Sequence, residues 1–220
     1  MPLFRKLLFS TFLCLSTADA FQCGDNGRAE LQWGAQAGSG GTVLGFSPSG
    51  PFDAEGNPVL SVIALNAGFN VDFFAFNAYI CGGSPDEETS FGPMVQTASI
   101  STPDSTALCL TASALTGANI TLSLQPCVYP PLPSSLGSIS TPPPPTQMFQ
   151  WVTTEFVSYG WAFLGNQSTP VDATAATNYP PVLVPEVPAV GAFVRLAFVP
   201  GGLAPSTGTE PGLVLELSDE

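Results

Sequence analysis

The chain has 220 residues, with 17 acidic side chains against four basic ones and a formal net charge of −13. It has no histidine, which removes Ser-His-Asp and Cys-His catalysis, His-ligated metals and a histidine pH switch. Phosphate binding draws on Lys and Arg, so neither nucleic acid nor an anionic membrane surface is an expected partner.

The first element is an export signal. Arg5 and Lys6 precede an uncharged apolar run over 7–15, and Ala18-Asp19-Ala20 offers small residues at the positions a signal peptidase reads. The run covers about half of the ~20 residues a transmembrane helix needs. Residues 1–20 are therefore expected to be removed, leaving a secreted chain that begins at Phe21. The loss of Arg5, Lys6 and Asp19 leaves two arginines, Arg28 and Arg195, against 16 acidic residues, a net charge of −14. No lysine remains, so Schiff-base and Ser-Lys chemistry is also excluded. Any enzyme here would have to use carboxylates, hydroxyls or tyrosines.

Cys14 leaves with the signal, and the four remaining cysteines in an exported chain suggest two disulfides. Three pairings are possible. Cys23–Cys81 and Cys109–Cys127 are favoured, because each closes a loop within one expected structural unit. Such loops contribute roughly 3 to 4 kcal/mol each in the chain-entropy model. No cysteine pair has zinc-site spacing, and no metal or other cofactor is expected.

Beyond the signal, 23 prolines and 22 glycines interrupt any helical period. Short runs rich in Val, Ile, Phe and Thr predict about twelve strands. The first four span 30–33, 42–46, 59–65 and 71–80, the last apolar on both faces and so expected to be central. Trp33, beside a glycine-rich loop, is a candidate platform for stacking a sugar, against the alternative of core packing. Strands at 94–98, 107–111 and 120–124 follow. In the last of these, Ile120, Leu122 and Leu124 alternate with Thr121 and Ser123, as in a half-buried strand. Residues 129–146, YPPLPSSLGSISTPPPPT, are too proline-dense for a central strand and are expected to form a surface insertion within one domain, 21–220. Strands at 148–153, 158–164, 182–184, 193–199 and 213–217 complete the chain. Asn119-Ile120-Thr121 and Asn166-Gln167-Ser168 are acceptor triplets for N-linked glycans. Asn166, beside a predicted turn, is the better placed.

One region carries a recognisable pattern. Cys109-Leu110-Thr111 is followed by Gly117-Ala118-Asn119, by the apolar strand 120–124, by Pro126-Cys127, and by Gln147-Met148-Phe149-Gln150-Trp151. Residues 107–151 resemble one repeat of the ricin-type β-trefoil lectins. In that family two cysteines staple neighbouring strands, the glutamine of Gln-x-Trp or Gln-x-Phe bonds backbone, and the aromatic fills the core. The resemblance implies an all-β fold, a β-trefoil of about twelve strands in three groups of four, near 21–82, 91–153 and 157–219. A two-sheet β-sandwich is the alternative. The family's sugar-holding aspartate corresponds to Thr111, whose hydroxyl is the weaker acceptor. Thr111, Asn119 and Trp33 are the candidate ligand-binding residues.

Other constellations carry less. Asp86-Glu87-Glu88 reads as a solvated loop rather than a calcium site. Asp104-Ser105-Thr106 is similar to an aspartic-protease turn but lacks its glycine and a second copy. Glu155 and Asp172 are the carboxylates a glycosidase would need, with no spacing to pair them. The sequence thus points to a secreted, non-catalytic module that binds carbohydrate weakly or serves as a wall- or matrix-associated recognition module. An exported protein-binding module, such as a protease inhibitor using the proline-rich loop, is the second reading, and a carboxylate glycosidase the third.

Overall fold

The computed structural model describes residues 21–34, 42–63, 75–81, 91–92, 94–96, 107–128, 137–139, 144–153, 159–166, 178–186, 189–201 and 212–217. Among them are fourteen strands and a single turn of 3-10 helix at Pro145–Gln147. The protein is all-β. No helix among the described residues is long and apolar enough to cross a membrane.

The strands are β1 (Phe21–Gly34), β2 (Thr42–Gly45), β3 (Ser61–Val62), β4 (Ala75–Cys81), β5 (Phe91–Gly92), β6 (Met94–Gln96) and β7 (Leu108–Ala112). They continue with β8 (Ile120–Pro126), β9 (Gly137–Ile139), β10 (Phe149–Thr153), β11 (Tyr159–Phe163), β12 (Pro181–Val184), β13 (Phe193–Leu196) and β14 (Gly212–Leu217). Each of the twelve expected strands has a counterpart; β5 and β9 were not expected.

All pairings are antiparallel, in the order β12-β13-β3-β2-β1-β14-β11-β10-β5-β4-β6-β7-β8. The sheet curls, because β8 at the far end returns to β13 through Arg195↔Thr121 and Leu196↔Ile120. β1 also pairs directly with β4 and with β9.

Two differences from the sequence expectation concern β1. Only 30–33 are expected to be strand, whereas β1 runs back through Gly24, Asp25, Asn26 and Gly27, which favour turns. Pairing overrides that preference. The register against β4 shifts between Asp25 and Arg28, so a bulge absorbs the turn residues. Within the proline-rich stretch, the proline-free Gly137–Ile139 retains its N–H donors and pairs with Phe21–Cys23.

The core gathers Leu31, Leu44, Phe46, Leu60, Phe76, Leu110, Leu122 and Val194 from strands and loops along the strand path. Phe46 meets Phe76 edge to face, with ring centroids 5.9 Å apart. A second run of rings links Phe149, Phe163, Tyr179 and Phe198 at centroid separations of 5.4, 4.8 and 5.4 Å. Ring pairs at these distances add about 0.5–1.5 kcal/mol beyond the area they bury. β8 buries Ile120, Leu122 and Leu124 in alternation, as expected. Ser123, which should face water, is also fully buried, because the loop before β3 lies over it through the Val59↔Ser123 bridge.

Candidate functional site

Two places combine buried polar chemistry with an accessible surface. The first is the β7–β8 hairpin. Leu110 opposes Leu124 and Thr111 opposes Ser123 across the hairpin, and a disulfide joins Cys109 to Cys127 with Cα atoms 5.0 Å apart. The 3-10 turn at Pro145–Gln147 places the Gln147 side chain beneath them, only 2 % exposed. Its Nε2 donates to Thr111 Oγ1 at 3.0 Å and to the Pro126 carbonyl at 3.1 Å, and its Oε1 accepts the Val128 N–H at 3.3 Å. Thr111 Oγ1 in turn donates to the Cys109 carbonyl at 3.0 Å. Phe149, two residues past Gln147, is fully buried in the core. Gln147 is therefore a latch that ties the chain after the proline-rich stretch to both sides of the disulfide.

Thr111 is only 4 % exposed and its hydroxyl both gives and accepts a hydrogen bond within this latch. It is not presented to a ligand. Trp33 is 8 % exposed and belongs to the core, so its ring faces are closed to solvent. Asn119 is exposed at the end of the β7–β8 loop, and its Oδ1 accepts from Arg195 Nη1 at 3.1 Å. That loop is anchored on several sides. Ser113 N–H bonds Thr121 O, Phe198 N–H bonds Gly117 O, and Tyr179 Oη donates to Leu115 O at 3.0 Å. Asn166 is exposed in the turn after β11. The candidate ligand residues thus separate into two buried structural groups and one surface amide.

The second place is the loop over 47–58, between β2 and β3. Phe52 is 52 % exposed there, one of three large apolar side chains left open among the described residues. Its backbone bridges to Pro58, and its ring lies over Gly50, where a Cβ would stand 3.0 Å from Cδ2 and Cε2. Asp53 locks the loop beside it. Its Oδ1 accepts the N–H of Glu55 at 3.1 Å and of Asn57 at 2.7 Å, and Asn57 Nδ2 bonds both carboxylate oxygens. Asp53 N–H closes the turn on Asn57 O at 2.9 Å. Partial burial works against the charge of Asp53. The hydrogen bonds from the Asn57 side chain and backbone, the Ser123 hydroxyl and the Glu55 N–H outweigh it and hold the carboxyl below the usual aspartate range. Gln125 Nε2 donates to Ser123 Oγ at 3.2 Å, so the clamp reaches back into β8.

With its carboxylate engaged inside the loop, Asp53 positions the loop rather than serving as a proton donor. What faces outward is one aromatic ring, and nearby in the chain the hydroxyl of half-buried Ser47 donates to that of exposed Ser49 at 3.3 Å. An aromatic face held in a fixed orientation suits the apolar face of a sugar ring. Among the described residues, no group of three His, Cys, Asp or Glu side chains could hold a metal ion.

Several sequence candidates lie outside the described residues: the signal over 1–20, Asp86-Glu87-Glu88, Asp104-Ser105-Thr106, Glu155 and Asp172. Cys23 lies opposite Cys81 in the β1–β4 register, and Trp151 lies opposite Trp161 between β10 and β11. No protein-family model, curated protein or solved structure matches this chain.

Proposed function

We propose that the chain is an exported, non-catalytic binding protein that holds a neutral carbohydrate of a wall or matrix, on a β-trefoil scaffold. The observation that carries the reading is the half-exposed Phe52 on a loop clamped by Asp53. A rigid aromatic loses little conformational entropy on binding, so its contact area is converted into affinity more fully than that of a mobile side chain. The charge of −14 after export disfavours acidic glycans and leaves neutral ones. The trefoil part is supported by the Cys109–Cys127 staple, the backbone-bonding Gln147 and the buried Phe149, which fit the repeat geometry that the sequence resembles.

A neutral-glycan array tests it. The secreted protein binds, and Phe52→Ala weakens binding at least about tenfold, as the loss of about 1.4 kcal/mol implies, with its unfolding midpoint unchanged. Absence of binding at a concentration where a lectin control binds would sink the carbohydrate reading. Equal binding by Phe52→Ala would move the site elsewhere.

A further inference from the structure

We infer that Asn119 carries an N-linked oligosaccharide, and that this glycan covers the tip of the β7–β8 loop. The inference rests on the reading that the chain is exported.

The whole acceptor triplet is described. Asn119 is exposed, Ile120 is buried at the start of β8, and Thr121 is half-buried with its N–H on Ser113 Oγ at 3.0 Å. The acceptor amide thus stands at the surface on a residue whose neighbour is fixed in the core. A guanidinium only donates, so the Asn119 atom that faces Arg195 Nη1 is the carbonyl Oδ1. Nδ2, the atom that is modified, is the one left unused by this contact.

The chemistry changes nothing that the fold uses. A bond forms between Nδ2 and the anomeric carbon of a lipid-pyrophosphate-linked sugar, and the C–O bond to the pyrophosphate breaks. The pyrophosphate leaves with the electron pair, and one amide proton passes to a base of the transferase. Oδ1 keeps its bond to Arg195.

The consequence is steric. Thr116, Gly117 and Ala118, the exposed tip of this loop, lie directly before the glycan root. The loop is pinned beneath by Tyr179, Phe198 and Arg195, so it cannot swing away from the glycan. A second ligand is thereby kept off this tip and directed to the Phe52 loop.

The test is expression of the full chain in a eukaryotic secretory host. The expected result is a secreted protein whose mass exceeds that of the polypeptide, with one increment lost in Asn119→Gln and removed from the parent by peptide-N-glycosidase. Thr121→Val, which keeps the Asn119–Arg195 contact, loses the same increment, and Thr121→Ser keeps it. Secretion without any increment overturns the inference and leaves the export reading standing. An increment that persists in both Asn119→Gln and Thr121→Val and disappears only in Asn166→Gln also overturns it. Failure to enter the medium overturns the export reading, and this inference with it. Loss of carbohydrate binding on Asn119→Gln, with Phe52→Ala unaffected, would show the loop to be the ligand site and refute the steric consequence.

Discussion

At the scale of single residues, two polar side chains, Gln147 and Asp53, fix segments that apolar burial alone does not hold. Gln147 satisfies two backbone groups and one hydroxyl beside the disulfide. Gln147→Ala is expected to cost about 2–3 kcal/mol in urea unfolding, because it leaves buried groups without partners. An unchanged midpoint would show the latch to be redundant. Asp53 makes a pH-dependent contribution. Its folded pKa is depressed, so the charged form is the stabilising one. Its contribution is full above the unfolded value of about 3.9 and is lost as pH falls through the lower folded value. Asp53→Ala should therefore be less stable than the parent by about 1–2 kcal/mol at pH 7. That gap should narrow below about pH 4; a gap constant down to pH 2 would assign the effect to packing. Gln147 was legible in the sequence because the motif spacing reports a local geometry. Phe52 was not, because SPSGPFDAEGNP reads as a turn and becomes a rigid platform only by closing over Ser123 in a distant strand.

At the scale of elements, one tyrosine ties the turn after β11 to the β7–β8 loop. Tyr179 precedes β12, packs edge to face on Phe163 and reaches Leu115 in the β7–β8 loop. The turn after β11 fits over its ring only because residue 165 is glycine. A Cβ there would stand 2.6 Å from Tyr179 Oη, and the backbone has φ +55°. Gly165→Ala is expected to destabilise by about 2–4 kcal/mol, combining overpacking with the left-handed backbone cost. The Gly165→Ala/Tyr179→Leu pair should be markedly non-additive, since the second change removes the atoms struck by the first. Additive effects would mean that the turn simply moves. The strands that alternation identifies, such as β8, were readable because the period of two records which face is buried. β1 was readable only in part. Its first half is strand because β4 and β9 lie alongside it, and such partners, distant in sequence, leave no trace in local propensity.

At the scale of the whole molecule, β1 is the strand on which the curled sheet turns, since it pairs with β2, β4, β9 and β14. Its N-terminal end is flanked by the short β9 and by the end of β4, where Cys23 stands opposite Cys81. Directly opposed residues of an antiparallel pair have Cα atoms about 4.5–5.5 Å apart, inside the range a disulfide bridges. The expected second bond is therefore Cys23–Cys81. It would close a far longer loop than the 18-residue separation of Cys109 and Cys127, and the chain-entropy model gives it about 4 kcal/mol against about 3. Mapping under non-reducing conditions should recover both linked peptide pairs and no free thiol. Removing Cys23 and Cys81 together should lower stability more than removing Cys109 and Cys127, unless breaking the latter also releases the Gln147 latch. The quadruple comparison with Gln147→Ala separates the two contributions. Recovery of a Cys23–Cys109 peptide would refute the register of β1 on β4, and with it the path by which this sheet curls.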